Sequence, residues 1–199
     1  MKTMFKRLIA LLLLVSICTL SLASCKKNKG MVYVSIEVKD YGTIIVELDQ
    51  KNAPVTVKNF VKLVESGFYN GLTFHRVMEN FMIQGGDPNA DGTGGSAQKI
   101  KGEFKANGFE NGIKHERGVI SMARRGDSYN SASSQFFICN ATNRSVSSLD
   151  GQYAAFGRVV EGMNVVDAIT QDFAIYNGVI GNKLVQPVIT EMKVIDYKK

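Results

Sequence analysis

Apolar and polar residues alternate along VYVSIEV (Val32 to Val38) and again along TIIVELD (Thr43 to Asp49), with Asp40-Tyr41-Gly42 between them. A period of two predicts two strands, and the break between them predicts a β-hairpin with one face on a core. The period then changes. Pro54 opens a stretch in which Val57, Phe60, Val61 and Val64 recur at helical spacing before Gly67, so an amphipathic helix is expected there. Strand-like runs return as TFHRVM and FMIQG. From Gly85 to about Arg117 the chain is rich in glycine and asparagine, with only IKGEF inside it. A loop of that length is either functional or an argument against this division into elements.

Further strands are expected at GVISMA (Gly118 to Ala123), SQFFIC (Ser134 to Cys139) and YAAFGRVV (Tyr153 to Val160). A short helix around Met163 to Thr170 carries Val165, Val166 and Ile169 on one side, and a last strand is expected over Val185 to Tyr197. Many strands with two separated helices point to a mainly β chain. The expected architecture is an antiparallel barrel or sandwich whose openings the helices cover. No internal repeat is visible.

Composition changes this picture little. The chain has 199 residues, 45% hydrophobic and 21% charged, which suits one globular domain. The net charge of +6 suggests nucleic acid until its location is considered. Six basic residues lie in the first 29 positions, which hold no Asp or Glu; the other 18 basic residues are matched by 18 acidic ones. The body is neutral overall, so no nucleic-acid partner is expected.

Those first residues read as a targeting segment. Lys2, Lys6 and Arg7 precede the apolar run LIALLLLVSIC, and small residues follow it, ending in LASC at Leu22 to Cys25. The run is shorter than the ~20 residues a membrane-spanning helix needs. LASC resembles the bacterial lipobox. That resemblance implies a signal peptide over 1–24, lipidation of Cys25, a basic tether over 25–30 and a folded domain over 31–199. It also implies an exported protein held at a membrane by its N-terminal lipid. Cys18 would leave with the signal, and Cys139 alone cannot form an internal disulfide. In SQFFIC it reads as a buried small hydrophobe rather than a nucleophile.

Two motifs point to chemistry and do not carry it. GTGGSA from Gly92 matches a loose dinucleotide fingerprint, but no strand leads into it and no helix follows, so it reads as a loop. His75 and His115 are the only histidines, which argues against a zinc site. Composition leaves room for a Ser-His-Asp triad, yet no G-x-S-x-G elbow supports one.

FHRVMENFMIQGGD, Phe74 to Asp87, is different. It sets Arg76 among Phe74, Phe81, Met82 and Ile83, with Gln84 close behind. Adjacent strand residues point to opposite faces, so Phe136 and Phe137 cannot both line one interior. For any one of these residues ordinary core is the simpler reading. Together with a permanent cation and its five fixed donors, a wall apolar on both sides suggests a binding groove.

FHRVMENFMIQGGD, with Tyr69 and Leu72 ahead of it, resembles the signature of the cyclophilins, the peptidyl-prolyl cis-trans isomerases. KGEF, NGF, KHERGVISMAR, SQFFI and LDGQYAAFG follow in the order of bacterial members, and the resemblance spans about Met31 to Lys199. It implies a closed eight-stranded antiparallel β-barrel capped by two α-helices, with the groove on the outer barrel face. It implies isomerisation of X-Pro bonds with no cofactor and no proton transfer. Arg76 would be the transition-state donor, Gln84 would orient it, and Phe81, Met82, Phe137 and Leu149 would hold the proline ring. Ala123 and Arg124 would offer backbone groups, Gln135, Gly94 and Tyr153 would border the groove, and His75 would be a packed or hydrogen-bonded support.

The partners implied are proline-containing segments of folding proteins, met by a monomer. The chain departs from many relatives at three places. Ser148 stands where a tryptophan is common, Tyr153 where a histidine is common, and Arg124 where an asparagine is common. Without the indole, weak inhibition by cyclosporin is expected. The alternative reading is a peptide-binding holdase that keeps the groove and catalyses little; retention of Arg76 favours the enzyme.

Overall fold

The computed structural model describes residues 31–198, so the signal peptide, Cys25 and the basic tether expected from the sequence lie outside the described residues. The expected hairpin forms from β1 (Met31–Val38) and β2 (Gly42–Asp49), antiparallel from Met31↔Asp49 to Val38↔Gly42. Its turn needs left-handed backbone at Asp40 and Gly42, with φ of 65° and 115°. β3 (Phe74–Met78) and β4 (Met82–Gly85) make a second hairpin. β5 (Val119–Met122), β6 (Phe136–Cys139), β7 (Ala155–Glu161), β8 (Gly178–Val179) and β9 (Ile189–Ile195) complete one antiparallel sheet. Its order is β8-β3-β4-β6-β5-β7-β2-β1-β9.

The closed eight-stranded barrel is therefore corrected to nine strands in an open, curled half-barrel. The cause is local. β8, too short to be read from periodicity, pairs Val179 with Arg76 and Gly178 with Val77, and so takes the outer edge of β3. Only a short contact links the segments that lead into β3 and β9. There Thr73 bridges Val188, Phe74 N donates to Pro187 O (2.9 Å), and Ile189 N donates to Leu72 O (2.8 Å). The last expected strand is shortened to Ile189–Ile195, with Lys183–Val185 forming a 3-10 turn before it.

Two longer helices, α1 (Pro54–Glu65) and α3 (Met163–Phe173), turn Val57, Phe60 and Val64, and Val165, Val166 and Ile169, into the main core. A third, α2 (Arg144–Ser147), is a single turn that the sequence reading missed. Phe60 packs against Phe136 (5.5 Å, edge-on), Phe156 (5.0 Å) and Tyr69 (5.2 Å) between ring centroids. Burying each such side chain stabilises the fold by roughly 1.5–3 kcal/mol.

The alternation question has a direct answer. Phe136 belongs to this main core, whereas Phe137 belongs to a second cluster with Met82, Cys139, Val146 and Leu149 on the other side of the sheet. Cys139 is fully buried there, as expected of a small hydrophobe, and burial pushes its thiol up to about 12.

The long loop is functional in a structural sense. Ala53, at the N-cap of α1, has no side-chain acceptor, and Pro54 has no amide to satisfy. Glu103 supplies what is missing: its carboxylate, buried to 1% exposure, accepts from Val55 N (2.9 Å) and Thr56 N (2.8 Å). A carboxylate at a helix N-terminus also meets the positive end of the helix dipole. Glu103→Ala strips the acceptor from both amides and should cost roughly 1–3 kcal/mol. It would be read as a lower urea midpoint, with Glu103→Gln intermediate. An unchanged midpoint in Glu103→Ala would show that the helix start does not depend on this loop.

Candidate active site

Strict alternation would place Phe74 and Arg76 on one face of β3. A bulge prevents it. Phe74 pairs with Gly85 but Arg76 pairs with Gln84, so His75 is the extra residue. Phe74 and Val77 both reach the main core, while the guanidinium of Arg76 lies on the outer face beside Met82 and Gln84. His75 itself is fully buried, and neither ring nitrogen has a hydrogen-bond partner among the described residues. Of the two supporting roles expected for it, packing is the one it has.

Arg76 is half-buried and makes no ion pair among the described residues. Burial lowers its pKa from the ordinary guanidinium value, and a guanidinium in a protein keeps its charge. Neutral groups hold it. Nη1 donates to Gln84 Oε1 (3.0 Å), and the guanidinium also touches the sulfurs of Met78 and Met82. Gln84 Nε2 donates to Gln135 Oε1 (2.8 Å), and Gln135 Nε2 donates to Gly94 O (2.7 Å) and Gly92 O (3.1 Å). Strands β3 and β4, the residue just ahead of β6 and the glycine loop are thereby joined in one row of side-chain hydrogen bonds.

That loop is GTGGSA, and it runs without regular secondary structure, as its context implied. It is wound on Asp87, a buried carboxylate that accepts from the amides of Asn89 (2.8 Å), Asp91 (3.2 Å) and Gly92 (2.6 Å). A Cβ on Gly94 would collide with that carboxylate. Packing against Asp87 accounts for this glycine.

Beside Arg76 lies a cavity of about 340 Å³, walled by Phe81, Met82, Phe137, Leu149 and Tyr153. Every residue expected to grip a proline ring is in that wall. Ala123 and Arg124 line it as well, but the Ala123 amide already donates to Gln135 O (2.9 Å). The backbone group Ala123 can offer a ligand is its carbonyl. Two departures noted in the sequence turn out to touch each other: the Arg124 guanidinium carbon stands 4.6 Å from the Tyr153 ring centroid.

Sequence reasoning missed what stands behind Phe137. The His115 ring stacks on it (6.2 Å, 19°), with Nδ1 3.0 Å from Asp150 Oδ1 and Nε2 3.0 Å from Ser121 Oγ. This is the order of a hydrolytic triad, but Ser121 and His115 are buried, and no substrate can reach the hydroxyl. Burial lowers the His115 pKa despite Asp150, so the ring is neutral at pH 7. The carboxylate must then accept from Nδ1–H, and Nε2 accepts from Ser121. For Asp150, burial pushes the pKa up, but the amide and ring of His115 outweigh it and the net shift is down. The row braces the aromatic wall.

A family profile described as "Cyclophilin type peptidyl-prolyl cis-trans isomerase/CLD" matches residues 33–194. The chain belongs to the cyclophilin-type peptidyl-prolyl cis-trans isomerase family. It is 48% identical over 132 residues to peptidyl-prolyl cis-trans isomerase A of Dickeya dadantii (strain 3937), covering 65% of this chain and 67% of that protein. It is 43% identical over 145 residues to a peptidyl-prolyl cis-trans isomerase of Helicobacter pylori (strain ATCC 700392 / 26695), covering 72% and 83%. Among solved structures, a Cryptosporidium parvum cyclophilin crystallised in the presence of the dipeptide Ala-Pro matches with a TM-score of 0.69 at 28% identity, covering 83% of this chain and 99% of that one. The enzymatic activity of the cyclophilins is thus the activity this groove has to explain.

Both histidines carry lowered pKa values, with burial the first cause in each. Below their ordinary value of 6.5 the unfolded chain binds protons that the native one refuses. Stability is therefore full above that pH and falls as pH drops toward the native values. His75 has no hydrogen bonds to lose, so His75→Leu isolates the effect. The drop in Tm between about pH 7.5 and about pH 5.5 should be smaller in the variant than in the wild type. Equal drops would exclude His75 as a source of acid lability.

Proposed function

We propose that the chain isomerises X-Pro bonds of exported or envelope proteins, with Arg76 as the group that lowers the barrier. The observation that carries this reading is a guanidinium held by Gln84, unpaired with any carboxylate among the described residues, at the edge of an apolar cavity. Amide resonance makes the uncatalysed reaction slow, about 10–100 s, which corresponds to a barrier of roughly 20 kcal/mol. Twisting the bond breaks that resonance, and the prolyl nitrogen regains a lone pair. A donor aimed at the nitrogen binds the twisted state better than either planar state, and that difference is catalysis. In a partly dry groove a charged donor counts for more than in water.

The remaining residues act through position. Phe81, Met82, Phe137 and Leu149 hold the ring still while the preceding carbonyl swings. Gln84 and Gln135 fix the guanidinium, and Gly94 fixes Gln135. No step moves a proton to or from the substrate, so neither histidine is required as an acid or base. The structure of a relative with Ala-Pro present supports a proline-containing ligand for this groove.

We further propose that the enzyme works from the outer side of a membrane, tethered by a lipid on Cys25. The support is the LASC sequence with its basic and apolar approach. β1 starts at Met31, so five residues, or six Cα steps, separate it from Cys25. Fully extended they reach at most ~20 Å, which keeps the domain close to the bilayer. Lys26, Lys27 and Lys29 fall in that tether, where each gains up to about 1 kcal/mol against anionic lipid.

Arg76→Ala should lower kcat/KM on an X-Pro peptide by about 10²–10³. Its thermal unfolding should shift little, because the side chain faces a groove. Turnover near the wild-type level would rule out the donor role. For the tether, wild-type protein should need detergent for release from cell membranes, and Cys25→Ala should change fraction or processing. Identical soluble behaviour of both would remove the lipoprotein reading and leave the isomerase intact.

A further inference from the structure

Past Gln84 the proline cavity opens into a second one of about 550 Å³, and the two share Gln84, Gly92, Ala123 and Arg124. Its floor is the glycine loop, and hydroxyls of Ser96, Ser131 and Ser133 contribute to its wall. The charged side chains lining it are Lys99, Arg124 and Arg125, with no Asp or Glu among them. One of these cations is answered: Arg125 pairs with Asp127 (3.1 Å). The other two make no ion pair among the described residues. Asp91, next to the lining, is turned into its own loop, where it accepts from the amide (2.9 Å) and hydroxyl (2.6 Å) of Thr93.

Arg124 is also held still. Nε donates to Gln152 O (3.0 Å) and Nη1 to Arg125 O (2.9 Å). Its guanidinium carbon lies 4.6 to 5.4 Å from the ring centroids of Tyr153, Tyr129 and Phe104. A long side chain that is already ordered loses little entropy when an anion arrives, which removes the usual weakness of a surface ion pair. Three aromatic faces and three carbonyls, that of Gly126 included, bind the cation without neutralising it.

The direction of the substrate follows from the isomerase reading, on which this inference rests. The ring carbons enter the apolar cavity and the prolyl nitrogen faces Arg76. The residue before the proline is attached at that nitrogen, so the preceding segment leaves along the row Arg76, Gln84, Gln135 toward the second cavity. An extended chain advances ~3.3–3.6 Å per residue, so the side chain entering that cavity belongs two or three residues ahead of the proline. We propose that this cavity selects an aspartate or glutamate at that place, with Arg124 and Lys99 as the specificity-determining residues.

The test uses matched peptides carrying Glu, Gln or Lys two or three residues before the proline, with isomerisation followed by NMR exchange. At one of the two positions kcat/KM for Glu should exceed that for Gln by about three- to tenfold, with Lys below Gln. The ratio should shrink toward one at about 1 M salt, where screening reaches within ~3 Å. Lys99→Glu, at an exposed position, should abolish or invert the Glu-over-Gln ratio, and Arg124→Gln should reduce it. A ratio of one at both positions in the wild type, or a ratio that neither variant changes, would overturn the inference while the isomerase reading stands. Failure to turn over any of the peptides would overturn both.

Discussion

A guanidinium kept half-buried with no carboxylate paired to it among the described residues is the constraint around which the groove is built. An acid placed against Arg76 would relieve the cost of burying charge, but it would also take up the donors that a substrate needs. The chain uses neutral groups instead. Gln84 accepts from the cation and passes its own amide to Gln135, which passes on to the carbonyls of the glycine loop. The orientation is fixed and the charge remains available. Sulfur from Met78 and Met82, polarisable and only weakly accepting, fills the rest of the contact.

That groove exists because one sheet is apolar on both faces. Phe136 and Phe137 are neighbours in β6, yet one closes the main core and the other forms the wall against which a proline ring would rest. Such a wall needs support from behind as well as in front. His115 supplies it with a neutral, fully hydrogen-bonded ring between Asp150 and Ser121. A charged or unpaired imidazole in that place would cost stability; a satisfied one stiffens the wall. The bulge at His75 completes the arrangement by sending Arg76 outward between two core residues.

Much of this was legible from residues alone. Period-two alternation found the first hairpin, Pro54 marked the start of α1 to the residue, and the consecutive phenylalanines announced a two-faced wall. What escaped depends on partners distant in sequence. β8 has two residues and no periodicity to show, so the open sheet could not be foreseen. Glu103 caps a helix from 47 and 48 residues away. The bulge is invisible because FHRVM reads as an unbroken strand. Arg124 and Tyr153 each looked like an isolated departure; only the fold makes them a stacked pair.

The order of the sheet also bears on how the chain comes to be folded. β1, the first strand, takes β9 as one of its two neighbours, and Ser35 meets Lys193 across 158 residues. The first hairpin can close as soon as β2 is available, but its outer edge stays bare until β9 (Ile189–Ile195) is available too. An exposed edge of that kind invites pairing with other chains. The topology accordingly favours slow completion, since contacts between distant segments set the pace of folding. A protein of the family that eases the folding of others thus carries, in its own ladder, a pairing that waits until β9 has been made.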